Sequence, residues 1–322
     1  MQKHFYDGLL NSDTVLSRPH VKGLQNDVFF IKHSYAETYD EEIESRRNGY
    51  EMRYALALAK YLLQQGYRSK QIAILVTYSE QRHSLRKNAE RLFGYDHGIR
   101  IENVDNFQGE ESDIIILSLV RSESENGKIG YLNTKNRLCV ALSRARIGMY
   151  VIGNIQYLAD RASSTLWQEI KETFGRKNYL SEHLITKCQK HGTEQIIKSF
   201  KEFNFKCPEG GCQRQCEDIL ECGHVCALYC HGYDMEHLEI KCEQPCQKIC
   251  YHNVQCQKLC HEECEPCEFN ESENGNCYYF ISESSNSAEN ALEAETKKQV
   301  VEEYHREAEI SFFLDGPKLN KK

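Results

Sequence analysis

The sequence has 322 residues, 40% of them hydrophobic and 27% charged. That composition describes a water-soluble chain long enough for two domains, one of them large enough to bury a core. The longest apolar run, Ile114 to Val120, is far too short to cross a bilayer. The opening "MQKHFYDGLLNSD" carries no apolar signal-peptide segment, so an intracellular protein with no membrane partner is expected. The formal charge of −8 is uneven, because 12 acidic and 6 basic residues fall between Glu268 and Lys322. The acidity therefore belongs mainly to the tail and does not exclude a nucleic-acid partner.

In chain order, "DVFFIKH" (Asp27 to His33) reads as a strand. "GYEMRYALALAKYLLQQGY" (Gly49 to Tyr67) has apolar residues at helical spacing, and the short apolar strand "QIAILVTY" follows it. A helix is expected over Ser79 to Phe93, then strands near Ile99 to Val104 and Asp113 to Val120. The helix of "TKNRLCVALSRAR" comes next, and "GMYVIGN" is expected to be the last strand. Strands alternating with helices imply a parallel sheet covered on both faces. In such sheets ligands gather at the carboxyl ends of the strands. Residues Asp160 to Phe205 read as helices leading away from the sheet. The Ser/Asn/Glu-rich stretch after residue 268 reads as mostly disordered, with a charged helix conceivable over Ala291 to Glu309.

Three segments carry chemistry-bearing residues. In "VDNFQGEESDIIILSLVRS", Gly109 permits a tight turn, and Gln108 and Glu111 beside it can hydrogen-bond a sugar or another polar ligand. In the helix that follows, Arg137 and Arg144 are seven apart and share a face, whereas Arg146 points elsewhere. The third segment is "ILVTYSEQR", a strand running into a helix.

Of 16 cysteines, 13 lie between Cys207 and Cys267, interleaved with histidines. In a reducing compartment that density points to metal thiolates rather than to a secreted disulfide module. Candidate ligands are Cys207, Cys212, Cys216, Cys222, His224, Cys226, Cys230, Cys242, Cys246, Cys250, His252, Cys256, Cys260, His261, Cys264 and Cys267. Zinc takes four S or N ligands in a tetrahedron, and two or three structural zinc ions are expected of a possible four. His231 and His237 are the weakest ligand candidates, and the pairing of ligands is open.

Taken together and in this order, "VDNFQGEESDIIILSLVRS" and "GYLNTKNRLCVALSRARIGMYVIGN" resemble motifs V and VI of superfamily 1 helicases of the up-frameshift/senataxin type. "ILVTYSEQR" resembles their motif IV, and "FYDGLL" the segment after their "QYRM" motif. The span Cys222-Gly-His224-x-Cys226-x₃-Cys230-His231 resembles the signature of NFX-type zinc fingers, and a degenerate second copy runs from Cys250 to Cys267. The combination is similar to the NFX-type zinc-finger-containing helicase-like family.

The resemblance implies a second RecA-like domain over residues 1–160 and the zinc-finger array over 206–268, while the residue pattern makes 161–205 a helical linker and 269–322 an acidic tail. It further implies that Arg144 is an arginine finger for a nucleotide γ-phosphate and that Gln108, Gly109 and Glu111 border the nucleotide sugar. Thr77 and Tyr78 would lie along RNA. RNA silencing, RNA surveillance or antiviral RNA sensing would be the setting, in the cytoplasm, the nucleus or ribonucleoprotein granules, with proteins of those pathways as partners. Thr77, Ser143 and Cys139 depart from the family's proline, threonine and asparagine.

No Walker A loop, G-x-x-x-x-G-K-[ST], and no convincing Walker B strand end occurs in the 322 residues. ATP and Mg²⁺ would therefore bind only with a further, N-terminal RecA-like domain, and the chain alone is expected to be inactive. Because "MQKHFYDGLL" enters the family pattern in mid-domain, the sequence is expected to be the C-terminal portion of a longer protein. From a different functional class, the alternative is a zinc-dependent interaction scaffold or ubiquitin-ligase-like module with a vestigial RecA-like domain.

Overall fold

The computed structural model describes residues 17–40, 44–123, 129–250, 253–264 and 279–281. The "FYDGLL" segment, His252, Cys267 and the proposed Ala291 to Glu309 helix lie outside them. The described residues divide into two compact units, one from 17–215 with 228–235, the other from 216–227 with 236–264 and 279–281.

In the first unit the strands are β1 (Val28–Lys32), β2 (Thr38–Asp40), β3 (Ser45–Arg47), β4 (Ile72–Val76), β5 (Arg100–Asn103), β6 (Ser112–Ser118), β7 (Ala145–Gly153) and β8 (Leu180–Ser181). The helices among them are α1 (Gly49–Gln64), α2 (Ser79–Phe93), α3 (Lys135–Leu142), α4 (Ile155–Arg161) and α5 (Leu166–Arg176). Six strands form one sheet in the order β5-β4-β6-β7-β1-β8, and every neighbouring pair is parallel.

The central strands "IAILV" and "SDIIILS" are apolar without alternation because helices cover both faces, and all five side chains of β4 are buried. Burying one such Ile or Leu side chain contributes roughly 1.5–3 kcal/mol, which makes these strands the anchor of the domain. α1 starts where Asn48 Oδ1 accepts from the backbone N–H of Tyr50 (3.1 Å) and Glu51 (3.2 Å), an N-cap that satisfies two of the orphan donors of the first turn.

The last part of the first unit differs from expectation. Residues 161–205 are not a helical linker, since β8 adds an edge strand to the sheet. After it, β9 (Leu184–Lys187) and β10 (Glu194–Ile197) make an antiparallel hairpin. "LITK" and "EQII" hold too few residues for a helical repeat to compete with cross-strand pairing, and Leu184 and Ile197 bury one face of the hairpin. A short helix α6 (Glu202–Lys206) leads into β11 (Gly210–Gln215), which pairs antiparallel with β12 (Tyr229–His231). In the second unit β13 (Lys248–Cys250) pairs with β14 (Tyr279–Ile281).

The second unit repeats the local backbone of its neighbourhood at an interval of thirty residues. The bridge Ile219↔Val225 recurs as Ile249↔Gln255. The bond from Leu220 N–H to His224 O (2.8 Å) recurs from Cys250 to Val254 (3.0 Å), and that from Cys226 to Asp218 recurs from Cys256 to Lys248. Gly223 (φ +86) occupies the left-handed turn position that Asn253 (φ +59) fills in the second copy.

Candidate functional site

Because β6 and β7 run parallel, the residues that enter them share one edge of the sheet. Ser112 pairs with Ala145, and its N–H donates to Arg144 O at 3.1 Å. The Gln108–Glu111 turn and Arg144 are thereby neighbours at the amino ends of the strands, not at the carboxyl ends where the sequence reading placed the chemistry. Gly109 takes φ +84 with open space around its α-carbon, so the turn needs its backbone freedom rather than its small size. Gln108 and Glu111 are exposed.

Arg144 lies past the end of α3, so the helical-face relation to Arg137 does not hold. Arg137 instead stacks its guanidinium 4.6 Å over the Tyr131 ring. Three neutral oxygens hold the Arg144 guanidinium: Val140 O (3.1 Å, from Nε), Ser143 Oγ (2.7 Å, from Nη2) and Glu110 O (3.4 Å, from Nη1). The neighbouring arginines are neutralised, Arg146 by Asp113 at 2.9 Å and Arg100 by Glu110. Among the described residues no carboxylate pairs with Arg144. A half-exposed cation fixed by neutral acceptors keeps its charge for an incoming anion.

Thr77 and Tyr78 leave β4 at the opposite, carboxyl edge. The Thr77 hydroxyl is buried and donates to Leu119 O (3.0 Å), and the Tyr78 hydroxyl lies 3.5 Å from Ile129 O. Burial raises the Tyr78 phenol above its ordinary value, with Arg121 working against it. This edge also holds residues that the sequence reading missed. Val120 sits at φ +69, a rare conformation for a β-branched side chain. The buried Glu51 carboxylate fixes it by accepting from Val120 N–H (2.8 Å), Ser118 Oγ (2.6 Å) and His33 Nε2 (2.9 Å). Glu37 accepts from the backbone N–H of Ser122 (2.5 Å) and Glu123 (2.7 Å) and lies 3.2 Å from Arg121 Nε. Strain held by buried carboxylates is characteristic of functional edges.

Cysteines and histidines converge in four groups. In the first unit Cys188, His191, Cys212 and Cys230 come together. In the second unit Cys222, His224, Cys242 and Cys260 form another quartet, Cys216, Cys226 and His237 meet, and so do Cys246, Cys256 and Cys264. Tetrahedral zinc with bonds of roughly 2.3 Å to sulfur and 2.0 Å to nitrogen separates its ligand atoms by about 3.5–3.8 Å. Here Cys246 Sγ and Cys264 Sγ are 3.8 Å apart, Cys222 Sγ is 3.5 Å from His224 Nδ1, and Cys216 Sγ is 3.3 Å from His237 Nε2. A disulfide needs a sulfur separation of about 2 Å, so these groups fit a shared cation.

Burial opposes a charged Cys222, yet the backbone N–H of His224 and neighbouring thiols bring its pKa below the ordinary value. Burial and the neighbouring Cys222 push Cys260 up to about 12. Thiolates that repel one another in this way are the donor set that a divalent cation relieves.

Cys207, Cys250 and His261 join none of the four groups. Cys207 is buried against Thr186 Oγ1 (3.3 Å), and burial pushes its thiol up to about 11, the state of a neutral core cysteine. His261 Nδ1 donates to Cys242 O at 2.9 Å. Conversely, Cys188, His191 and His237 are drawn in, although the sequence reading passed over the first two and ranked the third low. The legible signal was "CQKHG", a C-x₂-H pair ahead of the dense segment.

A parallel six-stranded sheet of this order, covered by helices, is that of a RecA-like domain. An AAA domain family model matches residues 1–156. The NFX1-type zinc finger-containing protein 1 of Mus musculus is 44% identical over 268 residues, which cover 82% of this chain and 14% of that protein. The NFX1-type zinc finger-containing protein 1 homolog of Caenorhabditis elegans is 39% identical over 285 residues, 86% of this chain and 11% of its own. The Helicase required for RNAi-mediated heterochromatin assembly 1 of Schizosaccharomyces pombe is 36% identical over 146 residues, 45% of this chain and 14% of its own. The chain is thus homologous to the NFX1-type zinc finger-containing proteins and to superfamily 1 helicases, and it spans about one-seventh of the mouse relative's length.

Proposed function

We propose that this chain supplies the second RecA-like half of an ATP-dependent RNA helicase core, followed in sequence by a zinc-stabilised array. The observation that carries the reading is Arg144, whose guanidinium is held by neutral oxygens beside the Gln108–Glu111 turn. An arginine so placed stabilises charge developing on a transferring phosphoryl group. Glu111 and Gln108 would border the sugar of the same nucleotide. The lysine and the Mg²⁺-binding acid that complete such a site must come from a separate domain, because neither motif occurs in the sequence. RNA would run along the carboxyl edge near Tyr78, held mainly through its phosphates and therefore sensitive to salt. Thr77 would support that edge through its bond to Leu119 O rather than touch RNA with its hydroxyl. The name of the fission-yeast relative supports RNA silencing as the setting. The dense cysteine groups, whose printed sulfur separations are far longer than a disulfide bond, support a reducing compartment such as the cytoplasm.

The reading is tested by joining the chain to a Walker A-bearing RecA-like domain of a relative and measuring RNA-stimulated ATP hydrolysis. Arg144→Ala should lower kcat by about 10³-fold or more, with melting temperature and zinc content unchanged. Arg144-dependent turnover by the chain alone, or full turnover by the joined variant, would overturn it.

A further inference from the structure

Two of the quartets, one within each unit, obey one rule. In each, a Cys-His pair in a tight turn is joined by two cysteines that stand eighteen positions apart, Cys212 and Cys230 in one, Cys242 and Cys260 in the other. The pair Cys222/His224 lies inside the finger signature, whereas Cys188/His191 lies ahead of it, in the turn between β9 and β10. The geometry of this earlier group is nonetheless that of a metal centre. Cys188 Sγ is 3.6 Å from Cys230 Sγ, and His191 Nδ1 lies 3.6, 3.4 and 3.4 Å from the sulfurs of Cys188, Cys212 and Cys230. The His191 backbone N–H points at Cys188 Sγ (3.4 Å), as a tight turn around a thiolate ligand requires. Three sulfurs and one imidazole nitrogen at tetrahedral spacing select zinc.

The segments that bring these ligands together all close on the end of α1. Gln65, fully buried, donates from Nε2 to Gly210 O (2.7 Å) and accepts at Oε1 from Gln189 Nε2 (2.9 Å), while Gln64 Nε2 donates to Pro208 O (2.9 Å). Gln189 adjoins Cys188, and Gly210 precedes Cys212 by two residues. A β-carbon on Gly211 would lie 2.1 Å from Cys230 O and 2.7 Å from Cys230 Sγ, so the β11 backbone runs directly against a ligand. We propose that Cys188, His191, Cys212 and Cys230 bind one structural zinc ion, which fastens the β11-β12 hairpin to the C-terminal end of α1 in the RecA-like domain. The inference rests on the zinc reading of the array and is independent of the helicase reading.

The test uses the full chain purified with zinc, alkylated under native conditions with and without a chelator and mapped by mass spectrometry. Cys188, Cys212 and Cys230 should be protected together and exposed together on chelation, while the half-buried Cys139 reacts alike in both. If Cys188 reacts equally with and without chelator while Cys222 is protected, this site fails and the zinc array stands. If Cys222 is also unprotected, the zinc reading itself falls, and this inference with it. His191→Ala should lower metal content by about one zinc per chain relative to His191→Cys, which preserves a tetrahedral donor set. Equal zinc in the two variants overturns the site. The fastening role predicts that amide exchange at Gln65, Gly66 and residues 210–215 speeds up at least tenfold in Cys188→Ser, with β4 and β6 unchanged. Unchanged exchange there refutes that role.

Discussion

In the sheet domain the buried side chains include those of "IAILV" and "IIIL", and Ile74, Ile114, Ile115, Ile116 and Leu117 have no exposed surface. Between residues 236 and 264 the buried side chains among the described residues are Cys242, Cys246, Cys250 and Cys256, while Leu238 and Leu259 face solvent. One region turns its aliphatic residues inward, with a few hydrogen-bonded charged groups such as Glu51 among them. The other places sulfur inside and leaves its few aliphatic residues outside. Apolar burial alone can hold the first, whereas the second has too little to offset the entropy of ordering its chain. Its cysteine groups offer the donors through which a metal would supply that cohesion.

The largest effect that could break this contrast is removal of the metal. A structural zinc contributes on the order of 10–16 kcal/mol to the fold that binds it. Stripping zinc with a strong chelator should therefore abolish amide protection over residues 216–264 while β4, β6 and β7 stay protected. An array that keeps its protection with no metal bound would end the comparison. Next in size, Ile116→Ala should cost about 2–5 kcal/mol in denaturant unfolding of the sheet domain, with zinc content unchanged. A loss of zinc in this variant would show that the two regions are not held independently. Smallest, Asn48→Ala removes the α1 cap and should cost about 1–2 kcal/mol, read as a lower denaturation midpoint at constant slope. No change would mean that the buried Nδ2 bonds to Tyr35 O and Val120 O contribute nothing either.

How much was legible in the sequence follows the same division. The α2 boundaries and the strands β4 and β6 are readable because a strand buried on both faces must be continuously apolar, and a helix on such a sheet must repeat every three to four residues. β8 is not readable, because its two residues, Leu180 and Ser181, carry no pattern and owe their place to pairing with Phe30 and Ile31. The sequence reading expected the chemistry at the carboxyl ends of the strands, whereas the Gln108–Glu111 turn and Arg144 meet at the amino ends. Residue types at 108–111 and 144 announce chemistry, but only strand direction shows that both precede their strands. In the array the ligand types were plain and the grouping was not. Cys222 and His224 are completed by Cys242 and Cys260 across intervening ligands of other groups, and no local spacing encodes such interleaving. Val120 and Glu51 were invisible for a similar reason, since a left-handed valine exists only once a distant carboxylate has captured its N–H.

The interleaving also sets an order in time. Cys188 and Cys230 are 42 positions apart, so a ribosome adding roughly 5–20 residues per second delivers the last partner of the first quartet about 2–8 seconds after its first. By then Cys216, Cys222 and Cys226, which belong to other groups, have already emerged, each able to compete for the same ion. A nascent chain offered zinc before Cys230 arrives can bind it only through incomplete or mixed sets of these donors.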